Sequence, residues 1–528
     1  MFNRGIRMLG VAAVAMSLIV SGCSGNTSTP APASSGATPS QPGAAAYKDK
    51  LVIGSALGDP QGSWDPIDTF VVAWGMVASN IFDGLVDRGT DLKIKPGLAT
   101  EWKYTDDKTL EFKLRQGVKF HNGEPFNADS VVFTFDRLLG PEGEKSPQRS
   151  NYTSIDKVVK VDDYTVDFKL KETDPVLITK LAGYGGMIVP PKYIKEVGDA
   201  AFDVKPVGTG PYKVTAYTKD SQVVLEAYPD YWGEKAKTKN VVVRFIPEDA
   251  TRIAEFQTGA IDIMQTVPVA QVKSLESDTN YKVIKVGGPG ATALRFDVSK
   301  APVDKLEVRQ AIAYAIDTQT IIDTILGGNA KRISSFQGDI SFGNNPSQQP
   351  FAYDPAKAKD LITKAGATGA KLDLFFSSKS TASKEIGQAI ASYLKAVGLE
   401  VVLNPVDPQA LSSQLIPQAK AGQMHLFGWG GWTLDFDNTA FLLYTKGQMW
   451  NPSFNDPKTN ELLVKERGTN DQKVREQAFQ ELTARLRETM PDVPLYQSMA
   501  VWGTSAKVDG FTAPPDDRMR LSSVVVGK

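Results

Sequence analysis

Between residues 428 and 441 the chain reads G-W-G-G-W-T-L-D-F-D-N-T-A-F, which sets Trp429, Trp432, Asp435 and Asp437 among closely spaced glycines. A carboxylate suits a ligand cation, because it accepts up to about four hydrogen bonds and charge-assisted pairs are the strong ones. Indole faces add flat apolar area with one donor each, and glycine lets a second group approach the backbone closely. The stretch therefore reads as the lip of a binding pocket. A second reading stays open at this point: a buried turn whose tryptophans are core and whose aspartates cap the segment that follows.

Other chemistries have little to work with. Only two histidines exist, His121 and His425, so a histidine-rich metal site or a histidine-based triad would have to use one of them. His121 falls in a turn-like run and reads as structural. His425 sits in the apolar run 424–427 and reads as core or pocket wall. The one cysteine, Cys23, excludes an intramolecular disulfide and a thiolate cluster. There is no G-x-S-x-G elbow, no H-E-x-x-H, no phosphate-binding G-x-x-x-x-G-K-[ST] loop and no complete G-x-G-x-x-G, since Gly208-Thr209-Gly210 continues as Pro-Tyr-Lys. Hydrolysis by a carboxylate pair needs no local motif and stays a lesser alternative. No cofactor, no metal and no enzymatic activity are expected.

With 528 residues, 41% of them apolar and 23% charged, the chain has the composition of a globular protein of two or three domains. Its formal charge is −1, which gives no reason to expect a nucleic-acid partner. Arg4 and Arg7 precede an apolar run over 8–20, too short to span a bilayer comfortably. Residues 1–22 are thus expected to be a signal peptide. Val20-Ser21-Gly22-Cys23 resembles the bacterial lipobox, which implies acylation of Cys23 and anchoring to a membrane from outside the cell. Residues 24–46 are Ser, Gly, Asn, Thr, Pro, Ala and Gln only, so 23–46 is expected to be a flexible tether.

The elements that must position the 428–441 stretch can be read from pattern. Residues 50–56 suggest a strand and 71–82 a helix. Leu110, Phe112 and Leu114 alternate as one face of a strand, Asn122-Gly123 makes a turn, and Asn127 is suited to cap a helix running through Leu138. Helical spacing recurs over 306–326, and Asp354-Pro355 places an N-cap before a proline at the first helical position. Residues 372–376, a helix from about 383 to 397 stopped by Gly398, and residues 400–403 read as a βαβ unit. Residues 473–490 suggest a long helix and 493–502 a returning strand. Units of this kind build open α/β sheets whose ligands sit beyond the strand ends.

The run 96–133, with Phe120-His121-Asn122-Gly123-Glu124-Pro125-Phe126, closely resembles the signature of the family 5 extracellular solute-binding proteins, the oligopeptide, dipeptide and nickel receptors of ABC importers. Further landmarks follow in the family's order: Val207-Gly208-Thr209-Gly210-Pro211-Tyr212 with Tyr228-Pro229-Asp230-Tyr231-Trp232-Gly233, then 308–317, then Tyr353-Asp354-Pro355. The resemblance implies a two-lobed periplasmic-binding-protein-like α/β fold with an extra subdomain in the first lobe. Mapped by landmarks, the first lobe takes 47–79, 201–286 and 504–528, the extra subdomain 80–200 and the second lobe 287–503. Crossings are expected at Gly287-Gly288-Pro289-Gly290 and at Gly503.

For function, the resemblance implies a monomeric, non-enzymatic receptor that captures a peptide or another small solute, such as an oligosaccharide, and delivers it to an ABC permease. Gly431-Trp432-Thr433-Leu434-Asp435 matches the dipeptide receptors' pattern, in which the aspartate takes the ligand's α-ammonium, so Asp435 is expected as the amine ligand with Trp429, Gly431, Trp432 and Thr433 around it. For the carboxylate, dipeptide receptors place an arginine in the loop that here reads Ser377-Ser378-Lys379-Ser380. Lys379 is the candidate there, although it lacks the bidentate fork.

Overall fold

Strand β1 (Lys50–Ser55) points Leu51 and Ile53 into a core from which water is excluded. The computed structural model describes residues 47–528 except 60–62, 70 and 517, so the signal peptide 1–22, the tether 23–46 and Cys23 lie outside the described residues. β1 pairs in parallel with Asn240–Phe245 on one side and Ile263–Met264 on the other. The helix expected over 71–82 is shorter, Val72–Ala78. It stops because the carbonyls of Asn80 and Ile81 accept from the N–H groups of Tyr212 and Gly210 and are lost to the helical ladder.

Four antiparallel strands form a separate sheet in the order Ala99–Asp106, Thr109–Leu114, Thr165–Leu170, Ile155–Asp162. The alternation read from sequence holds: Leu110, Phe112 and Leu114 are buried. Helix Ala128–Leu139 covers them, capped by Asn127, whose side chain accepts from the N–H of Asp129.

Five further strands organise the rest: β2 (Tyr281–Phe296), β3 (Lys371–Ser377), β4 (Glu400–Val406), β5 (Met424–Gly430) and β6 (Asp492–Ser505). They lie in the order β4-β3-β5-β2-β6, and the sheet then continues through Ile263–Met264 to β1. β2 and β6 are antiparallel and long enough to serve two lobes. Residues 281–287 face 499–505 in the first lobe, and 291–295 face 492–497 in the second.

Between Gly287 and Ala291 the register slips. Buried Gln497 braces the slip by donating from Nε2 to the carbonyl of Gly288 at 2.6 Å. Gly503, expected at a crossing, pairs instead with Val283 and Met264 inside the first lobe. A Cβ there would sit 3.2 Å from Val267 and 3.3 Å from Phe256, so packing rather than hinge freedom accounts for that glycine. The stretch of β6 opposite 287–290 is Gln497 to Met499.

The βαβ unit is present, with β3 and β4 parallel. Its helix α1 (Thr381–Ala396) begins at the Ser380 cap, two residues earlier than expected, and ends before Gly398 at φ 94°. The run 306–326 divides into Leu306–Ala315 and Thr318–Thr324, because Asp317 turns its side chain to cap the second helix. Leu372, Leu374 and Phe376 of β3 bury against Ile386, Ile390 and Leu394 of α1. Phe427 instead joins a cluster with Phe436, Leu443 and Phe479, so the second lobe packs helices on its sheet from more than one direction.

Candidate functional site

At the carboxyl ends of the parallel strands β3 and β5 lies a cavity of about 260 Å³. That is where an open α/β sheet leaves room, because helices cover its faces and not its strand ends. Ser377 closes β3, Leu426 to Gly428 come from β5, Ser383 and Ile386 from the first turns of α1, and Thr292 and Tyr496 from the two long strands. The remaining wall is Pro408, Leu411 and Ser412, on the turn and π-helical segment after β4. No lining residue is charged.

The loop after β5 carries the residues singled out in the sequence, and its chemistry is different. Leu434 holds a left-handed conformation at φ 55°, and its carbonyl accepts from the Phe342 N–H at 2.8 Å. Asp435 follows as the N-cap of α2 (Phe436–Tyr444), its side chain accepting from the N–H of Asp437 at 3.0 Å. Helices α3 (Pro457–Arg467) and α4 (Gln472–Thr489) pack behind it.

From α4, Arg475 reaches Asp435 with both terminal nitrogens, at 2.8 Å each. Asp435 is 3% exposed and Arg475 1%. Burial pushes the Asp435 carboxyl up and Arg475 opposes that push, while the surrounding carboxylates push the guanidinium up. The planar bidentate geometry is that of an ionised pair. Glu466, with no exposed surface, accepts from Arg475 at 3.0 Å, and burial and Asp437 hold its carboxyl well above the usual range. Asp437 meets Arg467 at 3.2 Å.

In this structure the Asp435 carboxyl, expected to receive a ligand ammonium, is matched by Arg475 inside the second lobe and caps α2, while Asp437 lies in the first turn of that helix and meets Arg467. Sequence reasoning missed Arg475, Glu466 and Arg467. Asp456 and Asp471 cap α3 and α4 and announce those helices, but no local signal names a partner forty positions away.

The other expected residues divide. Gly431 is buried and donates its N–H to the Pro289 carbonyl at 3.4 Å, tying the end of β5 to the slipped region of β2. Thr433 is buried and its hydroxyl accepts from the N–H of Asp435. Trp432 rests on Gly183, where a Cβ would come within 2.6 Å of the indole. Trp429 is half-buried, edge-on to Trp450 with ring centres 5.0 Å apart, beside Phe427 of the cavity wall. Trp450 in turn donates to the carbonyl of Ser412, another wall residue. Lys379 stands at the cavity's rim with 72% of its side chain exposed, paired with Asp407 at 2.8 Å. The structure thus brings Trp429 near the cavity and sets Asp435 and Thr433 in a buried turn.

One contact across the lobes was not foreseen. Arg88, at the end of the short strand Val86–Arg88, donates to the carbonyls of Trp432 at 3.1 Å and Thr433 at 2.7 Å. It is buried, and desolvation brings its guanidinium down to about 10, which leaves it charged at neutral pH. A guanidinium out of water demands acceptors, and the loop carrying Trp432 supplies them.

The histidines are structural. His121 accepts at Nδ1 from the Gly208 N–H at 3.2 Å and presents Nε2 to the Gly210 carbonyl at 2.9 Å, so the neutral ring fits, and burial lowers its pKa to about 4. Beside it Asp83 accepts from Thr209 and from the Trp232 indole, each at 2.9 Å. His425 is buried and burial lowers it to about 3. A second cavity of about 240 Å³ adjoins Asp83, Trp232, Arg518 and Arg520. Both of its arginines are bound by Asp516, which lies outside the cavity wall.

Residues 93–451 match the sequence profile of "Bacterial extracellular solute-binding proteins, family 5 Middle". The di/tripeptide-binding protein 1 of Pseudomonas aeruginosa (strain UCBPP-PA14) is 29% identical over 92% of this chain and 95% of its own length. The heme-binding protein A of Haemophilus influenzae is 28% identical over 80% of this chain and 82% of its own. Among solved structures, the periplasmic binding protein DppA of Helicobacter pylori, in complex with the peptide STSA, superposes with a TM-score of 0.75 at 28% identity, covering 91% of this chain and 98% of that one.

Proposed function

This chain belongs to the family 5 bacterial extracellular solute-binding proteins, the substrate-binding components of ABC importers, and we propose that it captures a peptide-like solute between its two lobes and hands it to the permease. The observation that carries this reading is the uncharged cavity of about 260 Å³ at the carboxyl ends of β3 and β5. It belongs to the second lobe and lies beside two long strands that pass through both lobes, so a change at their crossing would move the first lobe relative to it. Trp429, Ser377, Ser383 and Ser412 would supply contact area and hydrogen bonds to amide groups. The bonds from Arg88 to the loop of Trp432 would hold the lobes together over the solute, with Lys379 left exposed.

The family is one of receptors and not of enzymes. Native mass spectrometry of the purified protein tests the reading: an intact small solute released on unfolding is the expected result, and turnover of added candidates would point to the hydrolase alternative instead. For attachment, the Val20-Ser21-Gly22-Cys23 box supports acylation of Cys23 and a tethered receptor that acts as a monomer on the outer side of the cell membrane. Cys23→Ala is expected to leave an unprocessed precursor or release the protein from membranes. Unchanged processing and membrane association would remove the lipoprotein claim.

A further inference from the structure

We propose that the side-chain amide of Gln337, with the Ser335 hydroxyl and the Trp429 indole N–H beside it, hydrogen-bonds a peptide unit of the solute where the two lobes meet. This rests on the receptor reading above and carries it to named atoms.

Residues 335–342 join the crossing between the lobes to the loop after β5. Asp339 donates its N–H to Oε1 of Gln497 at 3.2 Å, and the same glutamine holds the Gly288 carbonyl. Three residues on, Phe342 donates to the Leu434 carbonyl at 2.8 Å. Phe336 lies against Phe427 of β5, with ring centres 6.5 Å apart. Gly338 sits on Gln497 of β6, whose Nε2 would come within 2.7 Å of a Cβ there. Since β2 runs between β5 and β6, Gln337 is carried across β2 where its register slips. Ala291, the first paired residue beyond the slip, faces Trp429 on one side and Gln497 on the other. Gln337 and Trp429 therefore stand at the same level of the sheet.

Gln337 is 4% exposed, and neither its amide nitrogen nor its amide oxygen has a hydrogen-bond partner among the described residues. Ser335 Oγ and Trp429 Nε1 are buried and unpartnered as well. Polar atoms taken out of water are costly unless something bonds them. Together the three side chains present donors for carbonyl oxygens and, in Gln337 Oε1, an acceptor for an N–H. A peptide chain offers that pair, one N–H and one carbonyl per residue, and a carboxamide meets it with a donor and an acceptor at once. At the crossing of β2 and β6, these bonds would form where the first lobe moves against the second.

Calorimetric titration tests this with trialanine and with its two analogues in which one amide N–H is replaced by an ester oxygen, each against the unmodified protein and Gln337→Leu. In the unmodified protein one of the esters is expected to bind about tenfold more weakly than trialanine. That difference should vanish in Gln337→Leu, because both changes remove the same hydrogen bond. Without solute, Gln337→Leu should melt no lower than the unmodified protein, since no bond within the protein is lost. A lower melting temperature, no ester penalty, or the same penalty in both proteins overturns the inference and leaves the receptor reading intact. Binding of maltotriose and not of trialanine by the unmodified protein overturns the peptide reading and the inference with it. Failure of both probes at millimolar concentration overturns the receptor reading as well.

Discussion

The Asp435 turn and the cavity at the ends of β3 and β5 are neighbours in the second lobe, and they use opposite chemistry. The turn gathers the carboxyl groups of Asp435, Asp437 and Glu466 and the guanidinium of Arg475, all buried, with the part-exposed Arg467 at its edge. The cavity is walled by hydroxyls and hydrocarbon. A charge removed from water is costly unless it is held by a partner of fixed geometry, so once paired it serves the fold and is no longer available to a ligand. A site meant to fill and empty is better served by neutral groups that lose little when water returns. The conspicuous carboxylates accordingly mark where the second lobe is locked.

Four substitutions break or sharpen that contrast. Asp435→Asn strands the Arg475 guanidinium and should cost about 3–5 kcal/mol of stability, read as a lower denaturation midpoint. Solute affinity of the fraction that stays folded should be unchanged, and a selective loss of affinity would return Asp435 to the site. Ser383→Asp does the reverse. An acid in the first turn of α1 complements the helix dipole and leaves stability within a few tenths of a kcal/mol. An unpaired charge in the cavity should still weaken solute binding by about 30-fold or more, measured by calorimetry.

Arg88→Ala belongs to neither region but joins them. Losing two charged hydrogen bonds across the lobes should raise the solute dissociation rate by about tenfold, followed by stopped-flow fluorescence. Small-angle scattering of the same variant should show a larger radius of gyration with solute bound. The smallest effect is expected at His121. Its folded pKa of about 4 lies below the ordinary 6.5, so the folded state resists protonation, and the stability present above pH 6.5 is lost as pH falls toward 4. At pH 5.5 that is about 1 kcal/mol, and His121→Gln should remove it from the pH profile of the melting temperature.

Much of the fold was legible, for reasons of short range. Alternation of Leu110, Phe112 and Leu114 needs only neighbouring residues, as do the caps at Asn127 and Asp354 and the stop at Gly398. The landmarks 117–126, 207–212 and 228–233 were legible as pattern, and the structure shows why they go together: His121 and Asp83 fasten them to one another. The site was less legible, because it is assembled at long range. Asp435 and Arg475 lie on separate helices, Arg88 comes from the other lobe, and the cavity draws on β2, β3, β5, β6, α1 and the turn after β4. The Gly503 crossing failed for a related reason, since a glycine required by Phe256 and Val267 looks the same in sequence as one required by a hinge.

The position of β6 also has a consequence in time. It is the penultimate stretch of the chain to be synthesised and yet the central strand of the whole sheet, bonded to β2 along both lobes and to Ile263–Met264. Until residues 492–505 emerge, the first lobe's strands around β1 have no strand pairing to β2, and the large sheet stays in two pieces. A nascent chain is therefore held short of its final structure for most of its synthesis. A chain ending at residue 491 should stay protease-sensitive across the large sheet, and a protease-resistant second lobe in that truncation would show that the late strand does not gate folding.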